Sequence, residues 1–81
     1  MEELIKTLRN RMQNGTVRFS YTKLDGTLRT ATGTTKLEMI PEEYHPKDAG
    51  MNTPEVIQRY FDIDKNGWRS FTKTNLVSID D

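Results

Sequence analysis

Residues 17–34 read "VRFSYTKLDGTLRTATGT". Val17, Phe19 and Tyr21 alternate with Arg18, Ser20 and Thr22, the period of two expected of a half-buried strand. "KLDG", residues 23–26, carries glycine in fourth place, which fits a type I turn closed by a left-handed glycine, a G1 bulge. "TLRTATG" then returns as the second strand. This register sets Val17, Phe19, Tyr21 and Ala31 on one face and brings Arg29 to the same face as Tyr21.

Upstream, the period is helical. Over residues 2–13, Leu4, Ile5, Leu8 and Met12 form one stripe while Lys6, Arg9 and Arg11 face away, and Asn14-Gly15 is a stop signal. The stripe is expected to pack on the rest of the domain. Downstream, "TTKLEMIP" reads as a third strand ended by Pro41, and "EEYHPKDAGMNTP" as a loop. "EVIQRYFDI", the turn "DKNG" and "WRSFTK" form a second hairpin, and "TNLVSID" supplies a short last strand. One helix followed by five or six short strands predicts a mainly β chain: a single domain over 1–81, with helix 2–13 and a small closed barrel over 16–80.

"DKNG" resembles "KLDG" in its fourth-place glycine, so the same bulge is expected, with Gly67 left-handed. That register pairs Asp64 with Trp68, Ile63 with Arg69 and Phe61 with Phe71, gathering Ile57, Phe61, Ile63 and Phe71 on one face. A two-residue turn at Asn66-Gly67 would split these apolar residues between faces.

Composition narrows the function. The 81 residues carry 12 Lys+Arg against 12 Asp+Glu, a formal net charge of zero, which argues against a strongly basic nucleic-acid clamp but leaves room for a local basic patch. There is no cysteine, so disulfides and thiolate zinc sites are excluded and an intracellular, cytoplasmic location is expected. No apolar run is long enough for a membrane span, and the acidic start is not a signal peptide. Apolar content of 33% implies a small core that a partner or a second copy could complete as a homo-oligomer.

Two motifs invite a metal. "DIDKNG" matches the opening of an EF-hand loop, but Lys73 stands at the position of the closing glutamate. His45 lies among Glu42, Glu43 and Asp48 without a second histidine. No glycine-rich phosphate loop and no nucleophile elbow is present. The expectation is a binding module and not an enzyme, with no metal and no cofactor.

The basic and aromatic residues are more informative. Arg18-Phe19, Arg59-Tyr60 and Trp68-Arg69 are pairs of the kind that hold phosphates and stack bases. Trp68 is expected on the outer face, beside Asp64 and Tyr60. Arg29 and Arg69 each end a hairpin on an otherwise apolar face. One reading has them at the barrel rim or paired with Asp62, Asp64 or Glu38. The other makes them an anion site, with Arg69 as the principal contact, Arg29 as the second, Tyr60 or Trp68 as a stacking surface, and Lys73 and Arg59 nearby.

From Val17 to Ile79 the chain resembles the WYL-type domain, an Sm-like SH3 β-barrel, and more closely the short stand-alone WYL-like barrels of phages and bacteria. The resemblance is carried by "VRFSYTKLDGTLRTATGTTKLEMI" and "RYFDIDKNGWRSFTKTNLVSID". Tyr60 stands at the family's central tyrosine, with Arg59 and Phe61 in place of its Trp and Leu. "RSF" at 69–71 resembles the family's Arg-x-Phe strand, and Asn75 takes the place of an arginine. The resemblance implies a regulatory barrel that senses a nucleotide or contacts single-stranded nucleic acid, through Arg69 and Tyr60. It alternatively implies a phage anti-defence protein that inhibits a host protein or sequesters an immune signal nucleotide.

Overall fold

The structure, a computed structural model, describes residues 2–45 and 54–80. The N-terminal stripe forms α1 (Glu2–Asn14), with Leu8 and Met12 fully buried and Leu4 and Ile5 packed at the edge of the same core. The helix ends without a left-handed glycine, since among the described residues positive φ occurs only at Gly26 and Asn66. Its last carbonyls are met from the sheet instead. The buried Thr34 hydroxyl lies 3.0 Å from Met12 O and 2.8 Å from Gly15 O, and Thr35 N–H donates to Met12 O. The C-terminal end of the helix is thereby tied to the end of β2.

Five strands follow: β1 (Val17–Thr22), β2 (Leu28–Thr34), β3 (Ile57–Asp62), β4 (Gly67–Thr72) and β5 (Leu76–Ile79). All pairings are antiparallel, in the order β4-β3-β2-β1-β5. β4 and β5 are the two edges of this sheet, yet only the three-residue 3-10 turn Lys73–Asn75 joins them in sequence. A flat sheet cannot satisfy both facts. The sheet curls until its edges approach, giving the open SH3-like barrel. One core fills it, built from Val17, Phe19, Tyr21, Ala31, Tyr60, Phe71 and Leu76 with the helix residues above.

The first hairpin has the expected register. Tyr21 pairs with Arg29 and Phe19 with Ala31, Gly26 N–H donates to Lys23 O, and Gly26 is left-handed at φ 89°. The second hairpin does not. Asp62 pairs with Gly67, Phe61 with Trp68 and Tyr60 with Arg69, so Phe71 faces Gln58 and not Phe61. The turn is longer than the bulge register requires, spanning residues 63–66. Asp62 sets its length: Oδ1 accepts the N–H groups of Asp64 and Lys65, both at 3.0 Å. The left-handed position falls on Asn66 at φ 50° and not on Gly67, where an added Cβ would meet nothing nearer than 3.9 Å. Tyr60 and Phe71 therefore share the core face, while Phe61 lies on the reverse.

The third strand expected at "TTKLEMIP" is also absent. Residues 37–44 form two 3-10 turns, Leu37–Met39 and Glu42–Tyr44, that cross the reverse face of β3 and β4. Ile40 and Phe61 are buried there. Tyr44 packs on Phe61 at 5.4 Å, and the Trp68 indole N–H donates to Tyr44 O at 2.6 Å. The His45 Nε2 lies 2.8 Å from both Leu37 O and Ile40 O and holds the two turns together. Its role is to fasten this segment. The middle of the expected loop, residues 46–53, lies outside the described residues.

Candidate functional site

Arg29 and Arg69 reach the core face because β2 and β4 alternate, and the two strands present them on either side of β3. Between them lies Asp62, the last residue of β3, fully buried. Arg29 Nη2 donates to Asp62 Oδ2 at 2.6 Å, and Arg69 Nε lies 3.5 Å from the same oxygen. Asp62 thus joins two tasks: one oxygen organises the 63–66 turn and the other neutralises the arginines. The bond to Asp62 holds Arg29 firmly in its charged form, raising its pKa above the usual arginine value. Arg29 Nε is buried without a hydrogen-bond partner.

An open cleft of about 530 Å³ lies over this group, at the mouth of the barrel. Its lining combines Tyr21 and Phe71 with Lys23, Arg29, Arg69 and Asn75, and with one carboxylate, Asp25. Tyr21 and Phe71 are stacked, with ring centroids 4.7 Å apart and planes 16° apart, and form a close-packed apolar floor. Arg29 is mostly covered, at 22% side-chain exposure, whereas Arg69 is 46% exposed and holds Asp62 only at long range. Arg69 is therefore the guanidinium available to a visitor. A wall of fork-shaped donors above an apolar floor suits a planar group that bears an anion.

The other expected site residues are dispersed. Tyr60 is fully buried, so it cannot serve as a stacking surface. Its ring meets Phe19 edge-on, and its hydroxyl lies 2.8 Å from that of Tyr21. Trp68 and Arg59 are on the reverse face, Trp68 opposite Phe61 and not beside Tyr60, with Arg59 Cζ 5.1 Å from the indole centroid. Lys73 lines a neighbouring cleft with Lys6 and Arg9. Lys23 and Asn75, neither of them an expected site residue, do line the mouth. Asp62 was legible as one of three counter-ions for the arginines, but its burial depends on a turn length that spacing alone left open.

Among the described residues no cluster of three His, Asp or Glu could hold a metal. At the EF-hand-like start, Asp62 is already engaged by Arg29 and by two backbone N–H groups.

Burial and the Tyr21 hydroxyl push the Tyr60 hydroxyl well above its ordinary 10.0, outweighing the opposing pull of Arg29. The unfolded chain keeps the ordinary value. The stabilisation is thus complete below pH 10 and is lost as pH rises beyond it, because the unfolded state releases this proton first. Urea midpoints measured above pH 10 should fall more steeply for wild type than for Tyr60→Phe, by up to about 1.4 kcal/mol per pH unit. Parallel curves would show that Tyr60 ionises as easily folded as unfolded.

The family model described as WYL_2, Sm-like SH3 beta-barrel fold, matches residues 5–77. The chain belongs to the WYL_2 family. The match runs from the first turn of α1 through β1 to β4 into the start of β5, and its description agrees with the curled sheet. WYL_2 membership makes the chain a small binding or regulatory module, on a fold that is generally non-catalytic. No curated protein and no solved structure matches it. No helix among the described residues is long and apolar enough to cross a membrane.

Proposed function

We propose that this WYL_2 chain is a non-enzymatic regulatory module that recognises a nucleotide or single-stranded nucleic acid at the barrel mouth. The observation that carries this reading is Arg69, half exposed on the wall of a cleft with an aromatic floor. Arg29 lies deeper and spends its charge on Asp62, so it supports Arg69 from below more than it meets the ligand. Lys23 adds a second exposed cation to the wall and Asn75 a donor and acceptor for a base edge.

Arg69→Ala is the clean test, because Arg29→Ala would strand the buried Asp62. Losing a charge-assisted hydrogen bond typically removes about 1.5–3 kcal/mol, so the variant should bind at least about tenfold more weakly. Binding of a nucleotide and oligonucleotide panel is measured by fluorescence anisotropy, with circular dichroism as the folding control. If wild type binds no member of the panel, or Arg69→Ala binds as wild type does, the mouth is not a nucleotide site. A host protein retained by the purified chain without nucleotide would instead favour the anti-defence reading.

A further inference from the structure

A second cleft, also of about 530 Å³, adjoins the mouth. It lies between α1 and the chain on either side of the β3–β4 hairpin, with Lys6, Arg9 and Lys73 set against one carboxylate, Glu55, over Ile5 and Val56. The two clefts divide consecutive residues between them. Ile57 and Thr72 line the mouth, whereas Val56 and Lys73 line the second cleft. Ile57 pairs with Thr72, and Lys73 N–H donates to Val56 O at 2.8 Å. A single low ridge of paired backbone therefore separates them. On a chain of zero net charge, the mouth carries Lys23 and Arg69 beside one carboxylate, Asp25, with Arg29 already held by Asp62, and the second cleft carries Lys6, Arg9 and Lys73 beside Glu55.

We infer that the ligand is a single-stranded oligonucleotide that crosses this ridge, with one nucleotide in the mouth and following phosphates along Lys73, Arg9 and Lys6. This rests on the mouth being a nucleotide site and extends it to a ligand class. A mononucleotide can occupy one cleft only, so it leaves the second set of cations idle. A strand engages both, and the apolar floor of the second cleft offers Ile5 and Val56 to a base face. Charge alone would also admit an acidic protein segment, which the test must separate.

The probes are fluorescent thymidine monophosphate, an oligothymidylate of roughly eight nucleotides, within the range one small barrel covers, and a polyglutamate of similar charge. The variants are Lys6→Gln/Arg9→Gln/Lys73→Gln, the single charge reversal Arg9→Glu on the exposed helix face, and Arg69→Ala. Wild type is expected to bind the oligonucleotide at least tenfold more tightly than the mononucleotide. Each phosphate contact to a single strand contributes about −0.7 to the slope of log affinity against log salt, so the triple variant should flatten the oligonucleotide slope by about 2. It should leave mononucleotide binding unchanged, and Arg9→Glu should weaken only the oligonucleotide. Arg69→Ala should weaken both ligands.

If the oligonucleotide and mononucleotide bind alike, or the triple variant holds the oligonucleotide as wild type does, the extension across the ridge is wrong while the mouth site stands. Polyglutamate binding as tightly as the oligonucleotide would make the second cleft an acidic-peptide site and overturn the inference. Failure of wild type to bind either nucleotide ligand removes the mouth reading and this one together.

Discussion

Asp62→Ala is expected to destabilise the fold by about 3 kcal/mol or more, the scale seen when one partner of a buried ion pair is removed. The fully buried carboxylate is the anionic partner of Arg29 at 2.6 Å and the acceptor for Asp64 and Lys65 N–H. Without it, a mostly covered guanidinium loses its counter-ion, and the 63–66 turn loses the oxygen that sets its length. A domain of this size has roughly 4–12 kcal/mol in total, so the variant should unfold at much lower urea. Asp62→Asn separates the two tasks. Its side-chain oxygen can still accept the turn N–H groups, so it should lie between wild type and alanine. If Asp62→Ala unfolds within about 0.5 kcal/mol of wild type, the carboxylate does not hold this corner together, since surface substitutions without a structural role fall in that range.

Gly33→Ala is the second large effect, and its sign runs against the usual one. Within a strand, glycine is ordinarily worse than alanine by about 0.5–1 kcal/mol. At Gly33, a Cβ would lie 2.6 Å from Tyr60 Cδ2 and 3.2 Å from Phe19 Cε1. Those rings cannot easily give way. Tyr60 is fully buried, packs edge-on to Phe19 at 5.0 Å, and is held by its hydroxyl at Tyr21. Overpacking of this kind typically costs about 1–3 kcal/mol. It outweighs the propensity gain, so a lower urea midpoint is expected. A more stable variant would mean that the core around Tyr60 is loose enough to absorb a methyl group.

The helix and the first hairpin were legible because period, turn chemistry and apolar placement agree there: Leu8 and Met12 on one stripe, Gly26 where the bulge needs it, and Phe19 opposite Ala31. The second hairpin misled for a specific reason. Grouping apolar side chains put Ile63 in the strand, but a polar residue, Asp62, takes the inward place because Arg29 lies there to meet it. Phe61 then turns to the reverse face, where Ile40 and Tyr44 cover it. That cover comes from residues 37–44, of which 37–41 were expected to end a threonine-rich strand; the segment is instead fastened within itself by His45 and tied to the sheet through Trp68. At the mouth, Arg29 could be placed because the first hairpin keeps its expected register, and Arg69 because it shares a face of β4 with Phe71 whichever register β3 takes. Tyr60, Trp68 and Arg59 could not, since the β3–β4 register buries the first and sets the other two on the reverse face, and Lys73 lies past the end of β4 in the neighbouring cleft.

The pairing of β1 with β5 sets how this fold must be reached. Phe19 pairs with Ile79, and the Ser20 hydroxyl donates to Asp80 across 60 residues of sequence. The first hairpin rests on neighbours close in the chain and can form early, whereas α1 also packs on β5. Until β5 docks, however, one edge of β1 stays open and the polar row at Ser20 lacks its carboxylate. Closing so long a loop is an entropic barrier met before the contacts that reward it. Folding should therefore be slow for a chain of this length, with the last strand acting as the latch and the open β1 edge as the interval in which intermolecular pairing competes.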